Sequence, residues 1–222
     1  TLHRQLESIF DRLAAYYGPQ EWWPDPNPFE VVAGALLVQN TAWVNAQTAL
    51  DNLAAARALS IPSILELGEE TLQGLIRPSG YFRQKASKLR AFAEHVQSQY
   101  GGDLAEMLGR PLDELRPELI VIWGVGAETA DTILLYAARR PAYVVDRYTT
   151  RILTRLAASP VGLSHDELRS WLMQAIPPDA DKYAEQHALL VVHGKTLCRK
   201  TPNCPECPLV SICRYGSGVV VQ

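Results

Sequence analysis

Two helical patterns that meet at Gly124-Val125-Gly126 constrain the fold of this chain more than any other feature. Within LIVIWGVGAETADTILLYAARRPAYVVDRYTTR, residues 119 to 151, an apolar run from Leu119 to Trp123 stops at the glycines. A second helical pattern begins at Glu128-Thr129-Ala130. Glycine reaches positive φ without strain and leaves its backbone N–H accessible, so Gly124 and Gly126 belong in a turn between two helices. N–H groups at the start of a helix form an anion site, and a DNA phosphate is one anion that fits. The stretch reads as a helix-hairpin-helix. Farther on, Pro141 ends the second helix, and Asp146 stands where it can cap a third that runs through Arg147, Arg151 and Arg155.

Charge is distributed unevenly along the chain. The net value of −3 argues against a generally basic coat, yet residues 1 to 120 carry 10 basic and 15 acidic side chains while residues 121 to 222 carry 11 and 9. Five arginines lie between Arg139 and Arg155 against Asp146 alone. Such a stretch suits phosphate contact, although a solvated helix face has the same composition. With 222 residues and 47% hydrophobic side chains, the chain can bury a core. It has no apolar run of about 18 residues and no signal-peptide pattern. The expectation is an intracellular protein with no membrane partner.

Outside the hairpin the periodicity is helical, without internal repeats or an alternating strand pattern. Leu2, Leu6, Ile9, Phe10, Leu13 and Tyr17 mark an amphipathic helix ended by Gly18-Pro19. The following segment, from Glu21 to Pro28, is too rich in proline to be helical. It holds Trp22 and Trp23, indoles that either tuck into the core or form a stacking wall. Phe29 to Val38 is strongly apolar, and Gln39-Asn40-Thr41 interrupts it before the helical period resumes from Ala42 to Leu53. Polar residues in such a place bond within the core or point at something outside it. Trp43, nearby, either packs in the helix or lines a pocket. Lys85, Lys88 and Arg90 follow the turn Arg77-Pro78-Ser79-Gly80. His187 and His193 lie in a helical pattern over residues 181 to 193 and read as structural, with no carboxylate or thiol at catalytic spacing.

All four cysteines fall near the C-terminus, Cys198, Cys204, Cys207 and Cys213, spaced C-x5-C-x2-C-x5-C. In an intracellular protein this concentration implies a metal centre rather than disulfides. Four thiolates suit either zinc or a [4Fe–4S] cluster, and spacing alone does not choose.

Taken together, the hairpin, Asp146 and the cysteine loop resemble the helix-hairpin-helix DNA glycosylases related to endonuclease III, over nearly the whole chain from Leu2 to Arg214. The resemblance implies an all-α, two-domain fold. A helical barrel spans residues 29 to 140, with the helix-hairpin-helix at about 116 to 138, and a second domain combines residues 1 to 28 with 141 to 222. The cysteine loop, residues 198 to 213, implies a [4Fe–4S] cluster, although the family's first gap usually has six residues rather than five. The implied partner is double-stranded DNA with a damaged base, flipped into a cleft between the domains, and the implied protein is a monomer associated with the nucleoid. Asp146 takes the place of the catalytic carboxylate, and Gln39, in Leu-Val-Gln-Asn-Thr, that of the residue filling the gap left by the flipped nucleotide. Gly124, Val125, Gly126, Lys85, Arg147, Arg151, Lys195 and Lys200 are the expected DNA contacts. Trp22 and Trp23, before a proline as in the 3-methyladenine glycosylase branch, join Trp43 as candidates for the base pocket.

The hairpin departs from the family at one decisive place. Where related enzymes carry a lysine that attacks the sugar, this chain has Glu128. The pattern is therefore closest to the monofunctional 3-methyladenine branch, with strand-cutting lyase activity weak or absent. The alternatives are a glycosylase for oxidised or deaminated bases and a lesion-binding protein without turnover.

Overall fold

A computed structural model describes residues 2–23 and 27–218. Pro24, Asp25 and Pro26, from the proline-rich segment, lie outside the described residues. The described residues form α-helices joined by short turns and contain no strand, as the helical periodicity led us to expect. The chain divides into two units, one spanning residues 25–140 and the other combining residues 1–24 with 141–222.

The central unit is built around its most apolar segment. Helix α2 (Pro28–Leu37) begins at Asn27, whose side chain accepts the Phe29 N–H at 3.0 Å, and Pro28 supplies the fixed φ that suits a first turn. Every residue from Val31 to Leu37 is buried, which explains the absence of a polar stripe in its sequence. Around it lie α3 (Trp43–Ala55), α6 (Phe82–Tyr100) and the wide turn of π-helix from Ile133 to Ala137. Between α3 and α6 come α4 (Ile61–Glu66) and α5 (Glu69–Ile76); after α6 the chain continues through α7 (Leu104–Leu108).

The glycine turn joins α8 (Leu112–Val121) to α9 (Ala127–Thr132), which runs on into the π-helical turn. Arg116 on α8 grips Asp131 on α9 with Nε to Oδ1 at 2.8 Å and Nη2 to Oδ2 at 3.2 Å. The two parallel bonds fix both distance and rotation between the helices. Three of the five residues in the apolar run before the glycines face solvent: Leu119 and Ile122 are buried, whereas Ile120, Val121 and Trp123 are exposed.

In the other unit, α1 (Leu2–Tyr17) buries Leu6, Ile9, Phe10 and Leu13, the stripe that its three- and four-residue spacing predicts. It packs on α12 (Ala180–Thr196), which also receives α10 (Arg147–Leu156). Helix α11 (His165–Ala175) opens with a capping box between Ser164 and Glu167. Helix α12 runs past Gly194 to Thr196, beyond the helical pattern read over residues 181 to 193. The glycine is needed there for space, because a Cβ would lie 2.4 Å from Tyr148 Cδ1.

Removing Arg116 would leave the Asp131 carboxylate buried without its guanidinium; the Asp131 side chain is 0% exposed. Arg116→Ala is expected to destabilise the fold by about 3–5 kcal/mol in denaturant unfolding. Glu114→Ala, which removes an exposed partner of Arg110, should change stability by no more than about 0.5 kcal/mol.

Candidate active site and metal loop

Asp146 caps α10 as its position predicts. Oδ1 accepts three hydrogen bonds, from Tyr148 N–H at 2.9 Å, Thr149 N–H at 2.7 Å and Thr149 Oγ1 at 2.9 Å. Oδ2 faces the imidazole of His187 on α12, whose Nε2 is 3.9 Å away. Trp22 meets that imidazole edge-on, with centroids 5.9 Å apart at 85°. The segment carrying Trp22 is clamped by Glu185, whose carboxylate accepts the backbone N–H groups of Gln20 and Glu21. Trp23, half-buried, follows in a left-handed conformation at φ 56°. The fold thus gathers Trp22, Asp146 and His187. His187 is the member that sequence reasoning missed, since 41 positions separate it from Asp146 and no local pattern joins them.

The basic residues near this carboxylate divide by role. Arg147 is exposed and stacks on Tyr148, with its guanidinium 4.9 Å from the ring centroid. Arg151 turns inward, donating from Nε to Cys198 O and from Nη2 to Gly194 O, each at 2.9 Å. Arg155 donates to Arg199 O and Lys200 O. Lys195 and Lys200 are exposed and, with these arginines, line one basic hollow.

The four cysteines surround a second hollow, closed by Ile152, Leu156, Leu197, Leu209 and Val210. Two N–H donors point at sulfur: Arg155 Nη1 to Cys198 Sγ at 3.3 Å and Gly216 N to Cys213 Sγ at 3.4 Å. His193 lies against the loop with Nε2 3.7 Å from Cys207 Sγ, and burial together with the Arg151 charge pushes its pKa down to about 4. Burial pushes the Cys207 thiol up, and the other three sulfurs act in the same direction. Four sulfurs lining one hollow, two of them receiving N–H donors, are a donor set that suits a thiolate-bound metal group, although among the described residues no three such donors are grouped to hold a single metal ion.

In the central unit the hairpin is tied to Gln39. The Gln39 amide donates from Nε2 to Gly124 O at 3.1 Å and to Thr129 Oγ1 at 3.0 Å, while Oε1 accepts from Lys88 Nζ at 2.5 Å. Gly124 sits at φ 90°, and a Cβ there would lie 2.3 Å from Lys88 Cγ, so both conformation and space demand glycine. Gly126 differs: its φ of −91° and ψ of 177° are extended, and a Cβ there would meet nothing within 4 Å. Val125 is buried with its N–H on Ile122 O, so it stabilises the turn rather than presenting a donor. Glu128 is exposed in the first turn of α9. Trp43 is exposed at the start of α3, and two further exposed aromatics, Tyr81 (67%) and Trp123 (56%), were not singled out from sequence. Tyr81 also adopts a left-handed φ of 45°, which a non-glycine residue takes only under constraint.

Lys85 corrects an expectation. Rather than meeting a DNA backbone, it is 2% exposed and donates from Nζ to Leu37 O at 2.8 Å and Ser79 O at 2.6 Å. Its place on the inner face of α6 follows from the same periodicity that buries Leu89 and Phe92.

A family model described as an HhH-GPD superfamily base excision DNA repair protein matches residues 33–178. A protein assigned as a DNA repair glycosylase in Methanocaldococcus jannaschii is 42% identical over 210 residues, covering 94% of this chain and 95% of that one. Among solved structures, an endonuclease III–DNA complex superposes with a TM-score of 0.82 at 25% identity over 97% of both chains. A 3-methyladenine DNA glycosylase of H. pylori bound to 1,N6-ethenoadenine gives 0.71 at 26% identity, covering 87% of this chain and 95% of that one.

Burial, assisted by Lys88, lowers the Lys85 pKa from 10.5 to about 8. Between those values the unfolded chain holds a proton that the folded chain has lost, so this residue makes stability rise with pH from about 8 towards 10.5. Comparing denaturant midpoints across that window for the wild type and Lys85→Met should show a larger rise in the wild type.

Proposed function

The chain belongs to the HhH-GPD superfamily of base excision DNA repair proteins, and from that premise we propose a monofunctional DNA glycosylase that flips a damaged base from duplex DNA and hydrolyses its N-glycosidic bond with water. The observation that carries this reading is in the sequence: the carboxylate is retained as Asp146, whereas the family's lysine position holds Glu128 and no amine. Bond cleavage builds positive charge on the sugar, which a carboxylate stabilises while it orients a water. Strand cleavage by a lyase requires an amine that attacks C1′ and forms a Schiff base. The chain's lysines are Lys85, Lys88, Lys182, Lys195 and Lys200, and the stretch from 119 to 151 contains none of them.

An alkylated purine of the 3-methyladenine type is the first substrate. Its positive charge makes it a good leaving group and attracts it to aromatic faces, for which Trp22, Trp23 and Trp43 are the candidates. Similarity to the H. pylori 3-methyladenine glycosylase supports this choice. Similarity to endonuclease III favours a second reading, a glycosylase for oxidised or deaminated bases with little lyase activity.

Arg147, Lys195 and Lys200 present their charges outward for phosphate contact, and the hairpin backbone at Gly124 and Gly126 offers further donors. Gln39 fills the gap left by the flipped nucleotide by exchanging its bonds to the hairpin for bonds to DNA. Cys198, Cys204, Cys207 and Cys213 hold a [4Fe–4S] cluster, in preference to zinc. The cluster supplies a cross-link that shapes the loop bearing Lys195 and Lys200 and takes no part in the chemistry of base release.

Base release is tested with duplexes containing 3-methyladenine, 1,N6-ethenoadenine, thymine glycol or uracil. The alkylated purines should be released most rapidly, with at least about a 100-fold loss in Asp146→Asn and retention of activity in Glu128→Ala. Borohydride should trap no protein–DNA adduct, and a trapped adduct would refute the monofunctional assignment. Tight lesion binding without release of any base would instead favour a binding protein.

Aerobically purified protein should be brown, with broad absorption near roughly 400 nm from iron–thiolate bonds. Cys207→Ser should lose that colour and lower the thermal midpoint. A colourless wild type with stoichiometric zinc would overturn the cluster assignment.

A further inference from the structure

Capping occupies only one oxygen of Asp146. The three donors of Tyr148 and Thr149 all converge on Oδ1, while Oδ2 looks across 3.9 Å to His187 Nε2. Both residues are 8% exposed. That separation is too long for a direct hydrogen bond, which needs about 2.7–3.2 Å. One water bonded to both groups at about 2.8 Å would span it.

The imidazole is placed rather than loose. Trp22 abuts it edge-on, and Glu185, two residues earlier on α12, fixes the segment that carries Trp22. Burial lowers the His187 pKa and Lys195 adds to the effect, against the opposing Asp146 charge, a direction that favours the neutral ring, the form that can accept a proton.

We propose that His187 is the general base of base release, holding the attacking water between Nε2 and Asp146 Oδ2. The proposal rests on the hydrolytic reading given above. With the ring in its Nδ1–H tautomer, the water donates one proton to Nε2 and the other to Oδ2, leaving a lone pair directed at C1′. As the C1′–N bond breaks, its electron pair departs with the base. The water oxygen bonds to C1′, and the proton facing the imidazole passes to Nε2. The imidazolium so formed lies beside the Asp146 carboxylate, which continues to stabilise the positive sugar. Proton loss to solvent then resets the site.

Single-turnover release from duplexes carrying 3-methyladenine, 1,N6-ethenoadenine, thymine glycol or uracil, measured with duplex affinity and thermal midpoint, tests this role. His187→Gln retains a polar end but cannot take the proton. It should slow release by at least about 100-fold, with affinity within about twofold of wild type. His187→Ala should be slow too and should recover part of its rate when free imidazole is added, a response that a packing role would not give. A Gln variant within about threefold of the wild-type rate would overturn the assignment. So would a slow Ala variant indifferent to imidazole. Wild-type protein that releases none of the four bases would sink the hydrolytic reading, and this assignment with it, and is recognised by the inert wild type itself.

Discussion

Three hydrogen bonds to a single carboxylate oxygen organise the unit that carries the candidate chemistry. Asp146 Oδ1 starts α10 by accepting from Tyr148 and Thr149, and the direction of that helix decides where everything on it falls. One turn in, Arg151 reaches the carbonyls of Gly194 and Cys198; a further turn on, Arg155 reaches those of Arg199 and Lys200. Tyr148 packs in the space left by the missing side chain of Gly194. A cap of this kind typically contributes about 1 kcal/mol. Its larger consequence is geometric, because the carboxylate that begins the helix and the arginines that brace the cysteine loop share one rigid element. The loop and the candidate catalytic group are therefore held in register by the same helix.

The central unit solves a different problem, that of presenting a tight turn without letting it deform. Arg116 and Asp131 lock the helices on either side, and Gln39 with Lys88 braces the turn from α6 and from the end of α2. Gln39 is consequently neither a simple core amide nor a freely projecting one. If it enters a duplex, it must release bonds to Gly124 and Thr129, each worth about 0.5–1.5 kcal/mol net. That exchange makes gap filling conditional on the Gly124 carbonyl and the Thr129 hydroxyl finding other donors, and water is the donor at hand.

Much of this was legible in the sequence because it depends on local order. Helix α1 and its buried stripe follow from residue spacing, the Asp146 cap from a carboxylate placed before a helical run, and the tight turn from Gly124. What could not be read depends on residues far apart in the chain. His187 meets Asp146 only because α12 packs on α10. Lys85 looked like a surface cation because charge is normally exposed; its burial depends on Leu37 O and Ser79 O, two backbone acceptors that composition does not reveal. Gly126 illustrates the opposite error: it was grouped with Gly124 as a conformational necessity, yet its extended backbone would admit a side chain.

The replacement at Glu128 bears on substrate as well as on mechanism. An acid in the first turn of α9 is favoured by the helix dipole by about 0.3–1 kcal/mol, whatever reaction the protein performs. Its presence therefore needs no catalytic explanation. Its charge nevertheless has consequences under the proposed function, because a carboxylate in the first turn after the hairpin repels a phosphate bound there. On the hydrolytic reading, that cost is offset for a base that arrives positively charged and is not offset for a neutral oxidised base. Under the proposed function, the absence of the lysine removes the covalent route and, in the same substitution, a positive charge that would have disfavoured a cationic base. An alkylated purine is the proposed substrate because, on that reading, both changes act in the same direction for it.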